Sequence, residues 1–295
     1  MSFAALKKNR TKSFEALNSE LQKMDRKSGN QHDDRYWKLD VDKAGNGYAI
    51  IRFLDTPDGE DLPFVRVIDH GFKGPGGWYI ENSRKTLGND EADPVAEINS
   101  ELWNTGTEEN KNKARAQKRR TGYHANIYIV KDTANPANEG QVKLFKFGPE
   151  IYKKVNGAMN PEYEDETAMN PFDFYDGANF KLKARNKEGG FRTYEASGFE
   201  AVSQVLPTDA EMKVVYESLH SLSAIVAPDQ FKPYAELKTK LYRVLGLTGG
   251  QSSTAASADM PTAKADSAPM TQTPAASATD EDGDDLAFFK SLADG

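Results

Sequence analysis

The chain has 295 residues, no cysteine, and a formal net charge of −7 at pH 7. Without cysteine it can form neither a disulfide framework nor a cysteine-ligated zinc or iron–sulfur site. Its apolar runs are far shorter than the roughly 20 residues that span a bilayer. Its basic N-terminus also lacks the apolar stretch of a secretory signal. We therefore expect a soluble, cytoplasmic protein.

The negative charge is concentrated at the C-terminal end. Residues 251–295 contain eight acidic residues and two lysines, a net charge of −6, which leaves only −1 for the rest of the chain. An acidic average usually argues against nucleic-acid binding. Here the uneven distribution of charge is more informative than the average, because the rest of the chain is nearly neutral and its basic residues are clustered.

Residues 1–27 are predicted to form a basic arm. Four cations precede the first acidic residue: Lys7, Lys8, Arg10 and Lys12. Apolar residues then recur at the spacing of an amphipathic helix: Phe14, Leu17, Leu21 and Met24. The alternative is a solvated terminus without a function of its own.

The central region, residues 28–248, is long enough for a substantial core and is dominated by strand patterns. Short segments rich in β-branched and aromatic residues predict strands at 48–54, 64–68, 78–81, 125–131, 142–147, 178–185 and 190–196. Residues 186–190 predict a hairpin loop. The glycines between the second and third strands are interpreted as loosening a turn: Gly71, Gly74, Gly76 and Gly77.

Two helices are predicted near the end of this region. One is residues 209–222, and the other has a continuous apolar face that stops at Gly246: Phe231, Tyr234, Leu237, Leu241 and Val244. Residues 89–93 and 162–166 predict loops. Strands followed by helices favour an α+β fold with a small antiparallel β-barrel at its centre.

Cations and aromatic residues interleave in the strand region. Residues 111–120 contain six basic residues and no acidic one, and a strand follows directly. The candidate contacts here are Lys118, Arg119, Arg120, Thr121, Tyr123 and His124. Along that strand, Ala125, Ile127 and Ile129 predict a core face, and the alternate residues His124, Asn126 and Tyr128 predict a binding face.

Later strands repeat this pattern. Phe180, Leu182 and Ala184 predict a core face, and the opposite face carries Lys181, Lys183 and Arg185. Neighbouring segments add Phe145, Phe191 and Tyr194. Cations that contact phosphates and flat side chains that stack on bases, at about 1–3 kcal/mol each, are what single-stranded nucleic acid requires. Such binding should be salt-sensitive.

Residues 249–279 form a linker predicted to be disordered, since 24 of its 31 residues are Ala, Ser, Thr, Pro or Gly. The segment 280–295 then combines acidic and apolar residues, which predicts a partner-docking tail rather than a passive acidic end. Its candidate contacts are Asp284, Asp285, Leu286, Phe288, Phe289 and Leu292.

Other functions have less support. The four histidines show no metal-ligand spacing, and no P-loop is present, so neither a metal-dependent nuclease nor a nucleotide-hydrolysing enzyme is predicted. We expect no enzymatic activity. The alternatives that stay open are a protein-recruitment scaffold acting through the acidic-aromatic tail and a strand-annealing recombination factor.

Several segments, in one order from the N-terminus to about Gly246, resemble the single-stranded DNA-binding (helix-destabilising) proteins of T-even-type tailed phages. These segments are Trp37–Asp40, Gly45–Leu54, His70–Lys73, Trp78–Glu81, Lys118–Asn126 and Gly177–Phe180. The resemblance implies an OB-fold core with a smaller subdomain at about residues 70–100. It also implies cooperative single-stranded DNA binding in DNA replication, recombination and repair, in the cytoplasm of the infected bacterial host.

The resemblance also assigns roles to residues. The groove contacts it implies are Trp103, Lys118, Arg119, Arg120, Thr121, Tyr123, Phe145, Phe191 and Tyr194. Cooperative self-association along the strand is implied for Lys7, Lys8, Arg10, Thr11, Lys12 and Ser13. The acidic tail is expected to recruit phage replication and recombination proteins, namely a polymerase, a helicase loader and a recombination mediator. His124 stands where the best-known member has tryptophan, and four extra residues precede Lys118.

The type member of this family binds zinc through one histidine and three cysteines. His70 matches the histidine, but the cysteine positions fall on Ser83, Asp93 and Ala96. One histidine and one carboxylate do not make a closed zinc site. We therefore predict no metal and no cofactor. The subdomain is instead expected to be held by the packing of Phe72, Trp78, Tyr79, Ile80 and Ile98.

Overall fold

The structure, a computed structural model, describes residues 33–163, 165–187 and 190–247. The predicted basic arm, linker and acidic tail lie outside these residues. The chain divides into an N-terminal unit that ends at Trp37 and a second unit that begins at Lys38. In the first unit the described residues include the two-residue strand β1 (Tyr36–Trp37) and an ion pair between Arg35 and Asp33.

The second unit is α+β. Its strands are β2 (Gly47–Phe53), β3 (Phe64–Gly74), β4 (Gly77–Asn82), β5 (Arg120–Asp132), β6 (Val142–Phe147), β7 (Ala178–Asn186), β8 (Arg192–Thr193) and β9 (Gly198–Val202). Its α-helices are α1 (Pro94–Asn104), α2 (Glu108–Ala116), α3 (Pro149–Met159), α4 (Asp209–Glu217) and α5 (Tyr234–Leu245). No described helix is long and apolar enough to cross a membrane.

Strand β5 is the centre of the sheet. Its first half pairs with β3, its second half pairs with β2, and its middle pairs with β6, all antiparallel. Because residues 123–125 pair with both β3 and β6, and residues 127–128 with both β2 and β6, β2 and β3 share the edge opposite β6. Strand β7 extends the sheet beyond β2, and β8 and β9 pair with β7.

One face of this sheet is an apolar core. Ile51, Phe53, Ile127 and Phe180 are completely buried in it. The aromatic rings meet edge-on, as between Phe53 and Phe172 at 5.6 Å between centroids. The predicted alternation along 178–185 is therefore present, since the residues between the cations of β7 are buried. Burial of rings this large supplies much of the driving force for folding.

The opposite face of β5 is packed as well. Asn126 is fully buried, and its side chain bonds to the backbone of His220 at both ends, donating to the carbonyl at 2.8 Å and accepting from the amide at 2.9 Å. Tyr128 packs against an apolar cluster that includes Leu54 and Met212 of α4. The prediction that this face presents open binding groups is wrong here, because a segment about 90 residues further along the chain covers it.

A second apolar cluster joins β3 and β4 to α1 and α5. Its buried members are Phe72, Tyr79, Val95, Leu241 and Val244, and Ile98 packs against them. Phe72 and Tyr79 are stacked at 5.2 Å. The prediction for this region is correct for these residues and wrong for Trp78 and Ile80, which are each 59% exposed. They lie on the face of β4 that the helices do not cover.

The glycines of β3 and β4 do more than loosen a turn, which corrects the prediction. Gly76 donates its N–H to the carbonyl of Val244 at 2.8 Å, and a Cβ at Gly76 would lie 2.0 Å from the carbonyl oxygen of Arg243. A Cβ at Gly71 would lie 2.3 Å from the guanidinium of Arg120. The close approach of the α5 backbone explains why Gly76 needs glycine, whereas at Gly71 the neighbour is the flexible end of the Arg120 side chain.

Candidate nucleic-acid interface

Among the described residues, two half-buried tyrosines form the most closely stacked aromatic pair. The rings of Tyr123 in β5 and Tyr152 in α3 are parallel within 4°, with centroids 4.1 Å apart. Phe147 stacks on Tyr123 from β6 at 5.7 Å, and Phe64 meets both tyrosines edge-on. This places two partly accessible flat rings beside further aromatic side chains, and flat rings are the groups on which unstacked bases stack.

A cation accompanies this pair. Arg66 is exposed in the middle of β3 and lies directly opposite Tyr123 in the β3–β5 register, so the two share a face. Within the described residues it forms no ion pair. Arg66 and Tyr152 are the functional candidates that our sequence analysis missed. Arg66 could have been found from the sequence, because it is the only charged residue within the otherwise apolar run 64–68. No sequence pattern pointed to Tyr152.

Two of the predicted contacts are buried. Phe145 is 5% exposed and stacks on Phe147 at 5.7 Å. His124 is 6% exposed, on the face of β5 opposite Tyr123. Burial, together with the charge of Lys146, lowers the pKa of His124 to about 4, so it is neutral at pH 7. Phe145 is therefore a buried neighbour of the aromatic group on the Tyr123 face, and His124 lies on the other side of the strand.

The basic residues at the start of β5, Lys118 to Arg120, differ in how exposed they are. Lys118 and Arg119 are partly buried, and Thr121 is partly buried at the start of the strand. Arg120 is exposed and pairs with Asp69 of β3 at 2.6 Å, and Lys146 pairs with the same carboxylate at 2.9 Å. Burial alone would raise the pKa of Asp69, but these two cations lower it overall.

Residues 108–116, for which our sequence analysis predicted no helix or strand, form helix α2. Thr107 caps its N-terminus, and Lys113 pairs with Glu109 on its surface at 2.8 Å. Trp103, at the end of α1, is partly buried, with Lys111 and Arg115 of α2 about 5.5 Å from its ring centroid. The predicted stacking residue therefore already has two cations over its indole ring.

The three cations of β7 face away from the core, as the alternation predicts. Lys181 pairs with Glu200 of β9 at 2.8 Å, and Arg185 pairs with Glu195 at 3.3 Å. Lys183 is exposed and forms no ion pair among the described residues. Exposed pairs of this kind contribute little, about 0–1 kcal/mol, so phosphates can compete for these cations.

Glu150 links the β7–β8 hairpin to α3. Its carboxylate accepts a hydrogen bond from the Thr193 hydroxyl at 2.7 Å and another from the Tyr194 amide at 2.9 Å. Tyr194 is thereby tied to the helix that carries Tyr152. Phe191, in the same hairpin, is 55% exposed. Glu150 therefore ties the hairpin to the helix that carries Tyr152.

The residues at the family's zinc position do not fit a zinc ion. His70 Nε2 lies 3.3 Å from Asp93 Oδ2, and the Ser83 hydroxyl donates to the same carboxylate. Asp93 also caps α1, accepting from the amides of Val95 and Ala96. Burial would raise the pKa of Asp93, but His70, Ser83 and the helix amide lower it to about 2.

Structural zinc takes four ligands. Here Ala96 offers none, and the histidine and carboxylate already bond to each other. No group of three His, Cys, Asp or Glu in the described residues is placed to hold a metal. A hydrogen-bonded network therefore occupies the position where the type member has its metal.

Comparison with known proteins agrees with this architecture. The family described as gp32 DNA binding protein like matches residues 45–245. The single-stranded DNA-binding protein of Enterobacteria phage T4 is 38% identical over 253 residues, covering 83% of this chain and 82% of the relative. That of Enterobacteria phage T2 is 40% identical over 227 residues, covering 75% and 74%. The chain therefore belongs to the gp32-like family of DNA-binding proteins.

Proposed function

We propose that this protein binds single-stranded DNA cooperatively, with little sequence preference and without catalysing a reaction, in phage DNA replication, recombination and repair. The observation that carries the proposal is the parallel Tyr123–Tyr152 pair, partly accessible and flanked by the exposed Arg66. Flat rings accept any unstacked base, and cations beside them accept phosphates. Duplex DNA hides its base faces, so single strands are preferred.

We further infer that the sheet around β5 is an OB-type fold. Support comes from its antiparallel pairing throughout β2–β9 and from a long central strand that pairs with β2 and β3 on one edge and β6 on the other. The strand path of the described residues does not close on itself, so the barrel is incomplete in hydrogen-bonding terms.

The remaining roles belong to segments outside the described residues. Self-association along DNA is proposed for the basic arm, centred on Lys7 to Ser13. Recruitment of a polymerase, a helicase loader and a recombination mediator is proposed for the acidic tail, through Asp284 to Leu292. Charge supports this division, because residues 251–295 carry −6 of the chain's −7 and the arm opens with four cations. The proposed location is the cytoplasm of the infected host.

A titration of the full chain with poly-dT tests the proposal. Tyrosine and tryptophan fluorescence should be quenched, and log K should fall with log salt by about 0.7 for each phosphate contact. Tyr123→Leu and Tyr152→Leu should each weaken binding by roughly 5- to 150-fold, the equivalent of one lost stack. Tyr175→Leu is the control, because that tyrosine lies outside the stacked pair: it is 51% exposed and its hydroxyl bonds to Asp209.

Equal affinity for single strands and duplex, or unchanged binding in both tyrosine variants, would contradict the proposal. A circular dichroism spectrum and melting temperature for each variant would separate lost stacking from lost folding, since Tyr152 packs against Tyr123 in the free protein.

A further inference from the structure

The uncovered face of β3 and β4 carries an exposed tryptophan. Trp78 is 59% exposed, and Ile80, two residues on, is exposed to the same extent. The intervening Tyr79 is 1% exposed and packs against α1 and α5. The chain has three tryptophans; Trp37 is buried and Trp103 is partly covered by cations. Trp78 is therefore the indole most open to solvent.

Cations share this face. In the β3–β4 register Lys73 lies directly opposite Trp78, and Gly71 lies opposite Ile80, so these four positions project to one side. Lys73 is exposed and forms no ion pair within the described part of the chain. The acidic residue of β4, Glu81, belongs to the opposite face, where Lys232 and Lys240 pair with it.

Two glycines let long cationic side chains lie flat on the same face. The guanidinium of Arg120 lies over Gly71, where a Cβ would come within 2.3 Å of it. The side chain of Lys146 crosses Gly122, where a Cβ would lie 2.8 Å from its Cε. Both cations converge on Asp69. The face thus combines three cations with one acid, and its exposed cations border an exposed indole.

We propose that this face, defined by Lys73, Trp78, Ile80 and Arg120, is an additional contact surface for single-stranded DNA, on which one base stacks on Trp78. It rests on the proposed function. Because Gly122 pairs with Val67 and Arg120 with Asp69, this face lies on the side of β5 opposite Tyr123, and a strand bound to both surfaces would pass around the Arg120 end of β5. Arg120 connects the two surfaces, because it directly follows Lys118 and Arg119 of the interface described above. The excess positive charge favours a polyanion over a neutral apolar partner.

Trp78→Ala in the full chain should weaken poly-dT binding by roughly 5- to 150-fold and reduce tryptophan quenching. Trp78→Phe should retain part of the affinity, because phenylalanine keeps a flat ring. Lys73→Gln should lower the salt slope by about 0.7. Val214→Ala is the control, an equally exposed apolar side chain (64%) on α4.

Three outcomes separate the hypotheses. If Trp78→Ala binds like the wild type while Tyr123→Leu loses affinity, this inference is overturned and the proposed function stands. If the wild type does not bind poly-dT, the proposed function itself fails. If sedimentation without DNA shows that Trp78→Ala and Ile80→Ala abolish self-association and leave binding by isolated molecules unchanged, the face is an interface between copies and the inference is wrong. Melting temperatures confirm that both Trp78 variants fold.

Discussion

The imidazole of His124 is buried, and its pKa is far below that of a histidine in water. It is 6% exposed on the face of β5 opposite Tyr123, and burial is the largest reason that its pKa falls to about 4. Lys146 acts in the same direction, and Asp69 opposes it weakly. A histidine that must stay neutral in the folded state links folding to pH, because the unfolded chain takes up its proton near pH 6.5.

The sign of this linkage gives a prediction. Above pH 6.5 the histidine is neutral in both states; as pH falls towards 4, only the unfolded state gains a proton. Unfolding free energy should therefore decrease by about 3 kcal/mol between pH 7 and pH 4 through this residue. Urea denaturation of the wild type and His124→Gln at each pH measures it. An identical pH dependence in both proteins would contradict the assignment.

The first turn of α1 depends on one carboxylate that serves two functions. Asp93 caps the helix through two backbone amides and joins His70 and Ser83 in a buried network. The network connects β3, the start of the 84–86 turn and α1. Hydrogen bonds in a buried site can hold elements together as a metal does, but they require no added ion.

Removing metal should therefore leave this protein unchanged. We expect no stoichiometric zinc in the purified chain and no shift of the melting temperature in EDTA. Asp93→Ala should lower unfolding free energy by about 2–4 kcal/mol, since it removes a helix cap and unpairs buried polar groups. Ser83→Ala should cost less. One equivalent of zinc by elemental analysis, or a chelator-sensitive melting temperature, would contradict this reading.

Local sequence patterns predicted the strands whose buried and exposed sides follow from alternation along the chain. Strand 142–147 was placed at its observed bounds, and the alternation along β7 predicted its buried and exposed sides correctly. Helices α1 and α3 were missed, although Asp93-Pro94 and Gly148-Pro149 are typical helix starts. Strand β8 is much shorter than the predicted strand 190–196. The Thr193 hydroxyl and the Tyr194 amide bond to the Glu150 carboxylate, and no local signal in 190–196 predicts these contacts.

The errors at the site have a different cause. Trp78 and Ile80 resemble core residues by composition, and only the placement of α5 on the other face of β4 shows that they are exposed. Asn126 resembles a surface residue, but it is buried by the segment that carries His220. Both depend on contacts between positions about 90–160 residues apart, and alternation along one strand contains no information about them.

Charge is distributed over the whole chain in a way that affects binding. The described body has cations that are partly neutralised by neighbouring carboxylates, as in Lys181–Glu200 and Arg185–Glu195. The segment 251–295 adds a net charge of −6 on a long linker. We expect this tethered anion, at high local concentration, to compete with DNA for the same cations. This competition weakens as salt screens it.

Truncation after Gly250 should consequently raise affinity for poly-dT at about 50 mM salt and should matter less at about 200 mM. Faster melting of a hairpin duplex at low salt is the second expected effect. Fluorescence titrations of the full and truncated chains at both salt concentrations provide the measurement. Equal affinities at both concentrations would show that the tail does not compete with DNA.

Gly71 and Gly122 have a thermodynamic consequence for whatever binds above them. Long cationic side chains lose up to about 2 kcal/mol of rotational freedom when they become fixed. Arg120 and Lys146 already pair with Asp69 beside these glycines, so part of that entropy is lost when the chain folds and not when a ligand arrives. Association on this face is therefore opposed by less entropy than on a surface of freely rotating cations.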